Sequence, residues 1–208
     1  MLDLDERKVA RNEFGLWLGW TLATGFGMLL GLLTFVPFLD LLDAGIARVV
    51  IPLWAGFLVG TFQWFVLRGF LTRSVDWILN GGAGWAIGFG LGLIVIQALR
   101  DYAWGALVGY VLFGIIIAVF QWPVLRREIP HAIPWILASV IGWAAGAYLS
   151  QAVLDLFVTG NAVPPVLSTT IIAGTTGLVA GAITGLVLVY IARQPEKEDL
   201  IIVTGDRK

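Results

Sequence analysis

The sequence predicts an all-α polytopic membrane protein: six transmembrane helices, arranged as three repeated helical hairpins, with both termini on the cytoplasmic side. Three observations predict it: long apolar runs, a one-sided distribution of Lys and Arg, and a motif that recurs at a fixed offset. Of 208 residues, 59% are hydrophobic and 13% charged, against roughly 25% charged in an ordinary soluble domain. Mean hydropathy is +0.90, and the charges fall in short segments between the apolar runs. A soluble chain of this length needs polar helix faces to meet water, and these runs have none. Apolar stretches of about 18 residues or more read as membrane spans.

The spans are placed at about Phe14–Val36, Val49–Leu67, Trp77–Leu99, Ala103–Leu125, Pro134–Phe157 and Ser168–Ala192. At 1.5 Å per residue their roughly 19 to 25 residues reach about 28–38 Å, enough to cross hydrocarbon with some tilt. The second has room to begin near Ile46. The first follows a charged lead, 1–13, that opens Leu2-Asp3-Leu4-Asp5-Glu6. The run from Phe14 is too long for the apolar region of a signal peptide. The third opens at Ser74 and Asp76, where an acid favours the helix dipole. Pro134 stands in the corresponding place of the fifth, so Asp76 reads as structural. The membrane domain is thus 14–192, with hairpins at about 14–67, 77–125 and 134–192. The tail, 193–208, is polar apart from Leu200-Ile201-Ile202-Val203 and is expected to be disordered.

Orientation follows from the basic residues. Arg7, Lys8, Arg11, Arg68, Arg73, Arg126, Arg127, Arg193, Lys197, Arg207 and Lys208 fall on one side, and only Arg48 and Arg100 on the other. Loops rich in Lys and Arg stay in the cytoplasm, which puts both ends inside.

The internal repeat is explicit. Gln63-Trp64-Phe65-Val66-Leu67-Arg68 recurs as Gln121-Trp122-Pro123-Val124-Leu125-Arg126, and the same offset carries Gly56 to Gly114, Trp77 to Trp135, Gly84 to Gly142, Trp85 to Trp143 and Gly88 to Gly146. At the ends, Gly19-Trp20 is matched to Gly84-Trp85, and Gly181, Gly185 and Arg193 to Gly56, Gly60 and Arg68. Leu188 and Val189 then replace the Gln-Trp pair. The unit is two helices used three times. Each hairpin starts on the same side, unlike the inverted repeats of many transporters. With these tandem motifs, Gln-Trp-x-Val-Leu-Arg followed by Trp and Gly-Trp-Ala-x-Gly, the chain resembles a group of uncharacterised multi-span membrane proteins of cyanobacteria and related bacteria. The resemblance runs from about Trp17 to Arg193. It implies the six-helix fold and an inner or internal, thylakoid-type membrane, and it brings no activity with it.

Every span carries glycines four apart, which share one helix face and let two backbones approach. They are Gly15/Gly19 with Gly27/Gly31, Gly56/Gly60, Gly84/Gly88/Gly92, Gly105/Gly109, Gly142/Gly146 and Gly177/Gly181/Gly185; Gly114 heads the matching stripe before Gln121. Their expected work is packing within the bundle, with some glycine face left for a partner. Trp64, Trp77, Trp122 and Trp135 lie near the cytoplasmic loops, where indoles anchor at the headgroups. Trp20, Trp85 and Trp143 are deeper, and a buried indole N–H needs an acceptor, so they pack beside the glycines or line a shared ligand site. Gln63 and Gln121 project from the glycine stripes into helix contacts. An amide there is costly unless paired; the expectation is a cluster in which the two satisfy each other, with a ligand site as the alternative.

Composition also excludes. A net charge of −1 gives no basic face for nucleic acid. Without Cys, and with His131 alone in its loop, no metal ligand set exists. No nucleophile elbow or phosphate loop appears, and charged residues are confined to loops and helix ends, which weakens proton relays and ion-coupled pumps. The expected function is therefore non-enzymatic: an accessory or scaffold subunit packing against other membrane proteins or itself through glycine-lined faces. Alternatives are a binder of lipid, quinone or pigment, and a small-solute channel or carrier. No cofactor is required, though a pigment or lipid would fit the second reading.

Overall fold

The computed structural model describes residues 4–38, 41–68, 75–129, 132–157 and 163–193. Six long helices account for nearly all of them: α1 Leu4–Leu33, α2 Ala44–Leu67, α3 Val75–Ala98, α4 Gly105–Glu128, α5 Ile133–Phe157 and α6 Pro165–Ala192. All six are long and apolar enough to cross a membrane. Helix boundaries fall within a few residues of the expected spans, with two differences. The lead from Leu4 continues α1 as helix, and α2 starts at Ala44, ahead of Ile46. Asp43 explains the second start: its carboxylate accepts from the N–H groups of Gly45 at 2.8 Å and Ile46 at 3.3 Å, satisfying donors that the first turn leaves open. His131 and the tail from 194 lie outside the described residues.

The helices close into a ring in chain order. Each packs on the next, and α6 packs on α1. Neighbours run antiparallel, as the paired contacts show: Gly27 meets Val59 while Gly31 meets Ala55, and Gly142 meets Ala180 while Gly146 meets Thr176. The ring has a termini end, with the start of α1 and the end of α6, and a far end. At the termini end Arg193 donates to Glu13 at 2.6 Å across α6 and α1, and Arg127 donates to Asp76 at 2.9 Å. Asp76 thus has an ionic partner besides the helix dipole. Both pairs are exposed, and such pairs contribute little to stability.

Glycine sets the spacing. On α1, α3 and α5 the stripes face the following helix: a Cβ on Gly27 would lie 2.6 Å from the Val59 Cα, and one on Gly146 2.7 Å from the Thr176 carbonyl oxygen. Gly84, Gly88 and Gly92 face α4 in the same way. The stripes on the even helices also face the following helix, with α6 closing onto α1. Gly56 and Gly60 face Trp85 and Ile78 of α3, Gly114 faces Val140 of α5, and Gly177, Gly181 and Gly185 face α1. Two places differ: Gly105 lies against Leu99 in the turn between α3 and α4, and the Gly15/Gly19 pair makes no close approach. Gly15 has nothing within 4 Å and Gly19 only a Val66 methyl at 3.9 Å, because α1 makes its close approach two turns further on.

Large apolar side chains take the outside. Leu18, Leu22, Phe26 and Leu30 on α1, and Leu79, Ile87, Leu91 and Ile94 on α3, are exposed. Lipid chains are as apolar as leucine, so helix association depends on close packing of small residues and on interhelical hydrogen bonds.

Candidate functional site

The axis of the ring is filled by two layers of aromatic rings. The layer nearer the termini end is made of Trp20 of α1, Trp77 of α3 and Trp135 of α5, each no more than 1% exposed. Their centroids are 5.5–5.7 Å apart and every pair is edge-on, the arrangement the indole quadrupole favours. Each indole N–H donates to the helix before it in the ring. Trp77 donates to the Gln63 Oε1 on α2 at 2.8 Å, Trp135 to the Gln121 Oε1 on α4 at 3.2 Å, and Trp20 to the Thr184 Oγ1 on α6 at 2.9 Å. Gln63 also donates through its Nε2 to the Thr24 Oγ1 at 2.9 Å, and Thr24 donates to the Trp20 carbonyl. A buried hydrogen-bonded path thus links α3, α2, α1 and α6.

This geometry corrects three expectations. Trp77 and Trp135 do not face outward as interfacial anchors would; the ring closes over them, and of the four only Trp64 and Trp122 remain half-buried near the termini end, where the Arg68 and Arg126 guanidiniums lie 5.7 and 4.5 Å from their ring centroids. Gln63 and Gln121 do not bond one another. Each is engaged by a tryptophan fourteen residues on, and the two amides meet only through the ring contact of Trp77 with Trp135. Nor does Trp20 join Trp85 and Trp143. The spacing Trp-x6-Gly-x3-Gly shows why: it occurs at Trp20/Gly27/Gly31, Trp77/Gly84/Gly88 and Trp135/Gly142/Gly146. That register makes Trp20 the counterpart of Trp77, and Met28 the counterpart of Trp85. Thr184 was missed because it lies one turn before Leu188, where the motif places its glutamine.

The second layer is Trp85 of α3, Phe113 of α4 and Trp143 of α5, with centroids 5.1–5.6 Å apart and again edge-on. It floors a cavity of about 410 Å³ in the far half of the ring, and all six helices contribute to its wall. Met28 and Leu32 come from α1, Ile51 and Pro52 from α2, Phe89 from α3, Tyr110 from α4, Ala147, Ser150 and Gln151 from α5, and Ile172 and Thr176 from α6. The volume lies within the range of small-molecule sites, roughly 300–1,000 Å³. Among the described residues that line it there is no Asp, Glu, Lys or Arg.

Most of its polar donors are already engaged. The Ser150 hydroxyl donates to the Ala147 carbonyl at 2.7 Å, Thr176 to the Gly146 carbonyl at 3.3 Å, and the Gln151 amide to Asp155 at 3.2 Å. Trp85 differs. It is 2% exposed, and its Nε1 is buried with no acceptor among the described residues, a condition the Trp64 Nε1 and the Ser139 Oγ share. An unsatisfied buried donor costs about 1–3 kcal/mol. Among the described residues no three His, Asp or Glu side chains gather to hold a metal ion.

Fold and site define an α-helical integral membrane protein with a ring of six spans around an aromatic axis. Comparison of the chain with family models, with curated proteins and with solved structures finds no match.

Proposed function

We propose that this protein is a non-enzymatic integral membrane protein that binds an apolar small molecule in the far cavity. The observation that carries this reading is the cavity itself: lined by all six helices, floored by aromatic rings, and with no charged side chain among the described residues that line it. The accessory-subunit reading rests on glycine faces left free for a partner, and the principal stripes are turned onto neighbouring helices of the same chain. The channel reading is weakened because two layers of rings stand across the axis below the cavity.

Mass spectrometry of protein purified in mild detergent is expected to detect one apolar compound near stoichiometry. Ala147→Phe, which fills the cavity from its wall, should lose it. Equal recovery from both proteins, or none from either, would reject the reading. An empty protein recovered within a larger assembly would favour the accessory role, and solute flux through the purified protein in liposomes would favour the channel.

The proposal includes three tandem hairpins with both termini cytoplasmic, supported by the motif offset and the bias of basic residues. The chain has no cysteine, so single introduced thiols report cleanly. A cysteine at Asp101 is expected to react with an impermeant maleimide in intact cells, and one at Arg127 only after permeabilisation. The reverse pattern would overturn the orientation.

A further inference from the structure

We infer, on the basis of the apolar-ligand reading above, that the cavity takes a single-chain amphiphile with an uncharged, hydroxyl-bearing head, of the monoacylglycerol type, its chain against the aromatic floor and its head at the seam between α4 and α5. The internal repeat carries the inference. The offset that takes Gln63 to Gln121 also takes the cavity wall of α2 and α3 onto that of α4 and α5: Ile51 to Gly109, Pro52 to Tyr110, Trp85 to Trp143, Phe89 to Ala147, Gly92 to Ser150 and Leu93 to Gln151. Both members of every pair line the cavity. The two seams are two copies of one wall, and they differ in chemistry. The α2–α3 copy is apolar at all six places, whereas the α4–α5 copy has Tyr110, Ser150 and Gln151 where the other has Pro52, Gly92 and Leu93. The third seam, between α6 and α1, brings Met28, Leu32 and Ile172, together with Thr176, whose hydroxyl is already donated to the Gly146 carbonyl at 3.3 Å.

Polar residues gathered on one seam of an otherwise apolar wall suit a ligand that is apolar over most of its surface and polar at one end. Their level in the bundle sets its orientation. Tyr110 lies within two turns of the start of α4 at Gly105, and Gln151 within two turns of the end of α5 at Phe157, so both stand near the far ends of their helices. Trp143 of the floor is eight residues before Gln151, about 12 Å deeper along α5, a span for a chain lying along the axis. The head is neutral, because a charged one would lose its hydration to a wall with no charged side chain among its described residues. Ser150 donates its proton to the Ala147 carbonyl, and Gln151 donates from its amide to Asp155. Each keeps an oxygen able to accept, which matches a head that donates, as a hydroxyl does.

The test uses the full-length protein in amphipol and three radiolabelled probes with one chain in common: monododecanoylglycerol, dodecanoate, which has a charged head, and dodecane, which has none. Monododecanoylglycerol is expected to bind the natural protein more tightly than either of the others. Tyr110→Phe and Gln151→Leu should each weaken it about three- to tenfold and leave dodecane unchanged. Leucine is what α3 carries at the place matching Gln151, and both variants should keep the natural melting temperature within a few degrees. Ala147→Phe, which gives α5 the phenylalanine of the matching place in α3, should abolish binding of all three probes. If dodecane matches monododecanoylglycerol on the natural protein, the assignment of a polar head fails while the apolar cavity stands; that comparison needs no variant. If dodecanoate binds most tightly, the ligand is an anion and the neutral head is overturned. If both seam variants bind monododecanoylglycerol as the natural protein does, the head does not lie between α4 and α5. If no probe binds, the underlying ligand-binding reading fails with it.

Discussion

Gly181→Leu is expected to destabilise the protein by about 3 kcal/mol or more, near the upper end of what overpacking a close contact costs. A Cβ at this position would already lie 2.9 Å from both the Cα and the carbonyl oxygen of Thr21, and 3.0 Å from the Thr24 Cβ. Backbone cannot rotate aside, so α1 and α6 must separate, and with them the hydrogen bond from Trp20 to Thr184. Gly88 belongs to a similar stripe but meets only side-chain atoms, the Phe113 Cδ2 at 3.1 Å and Ile116 carbons at 3.4 Å. Those can shift, and Gly88→Leu should cost less. Gly15→Leu enters open space, and Leu30→Ala trims a side chain that is 45% exposed; both should stay within about 0.5 kcal/mol. Unfolding midpoints in detergent would rank the four. Equal tolerance of leucine at Gly181 and Gly15 would contradict the close approach of α1 and α6.

Trp77→Ala is expected to cost about 3–5 kcal/mol, as removal of a fully buried aromatic does. The side chain is 0% exposed and touches both other tryptophans of its layer; its loss also leaves the Gln63 Oε1 without its donor. The same unfolding assay can resolve the polar terms by double-mutant cycles. Gln63→Leu with Trp77→Phe should show a coupling near the average of about 0.6 kcal/mol for interhelical hydrogen bonds in membranes, and at most about 1.7. Gln121→Leu with Trp135→Phe should behave likewise. Gln63→Leu with Gln121→Leu should be additive within roughly 0.3–0.5 kcal/mol, because the two amides share no hydrogen bond. A large term for that last pair would mean that the amides contact one another directly.

The sequence by itself determined the six helices and their approximate limits. Crossing hydrocarbon leaves a backbone little choice but the helix, and the length of the apolar run sets its extent. It also determined which residues would matter, since glycines four apart and glutamines within apolar runs are too costly to be incidental. Assignment of partners was another matter. That Gln63 serves Trp77 and Gln121 serves Trp135, and that Thr184 takes the third place, depends on which helix faces which around the ring. The Trp-x6-Gly-x3-Gly spacing was present in α1 and would have paired Trp20 with Trp77, but matching Gly19-Trp20 to Gly84-Trp85 displaced the register by two turns. Thr184 left no motif, because a hydroxyl one turn away can replace an amide only once the two backbones are in contact. The cavity belongs wholly to the tertiary structure. It exists because six helices, held close by glycine along their edges, leave between them at the far end a space that the rings of Trp85, Phe113 and Trp143 floor without filling.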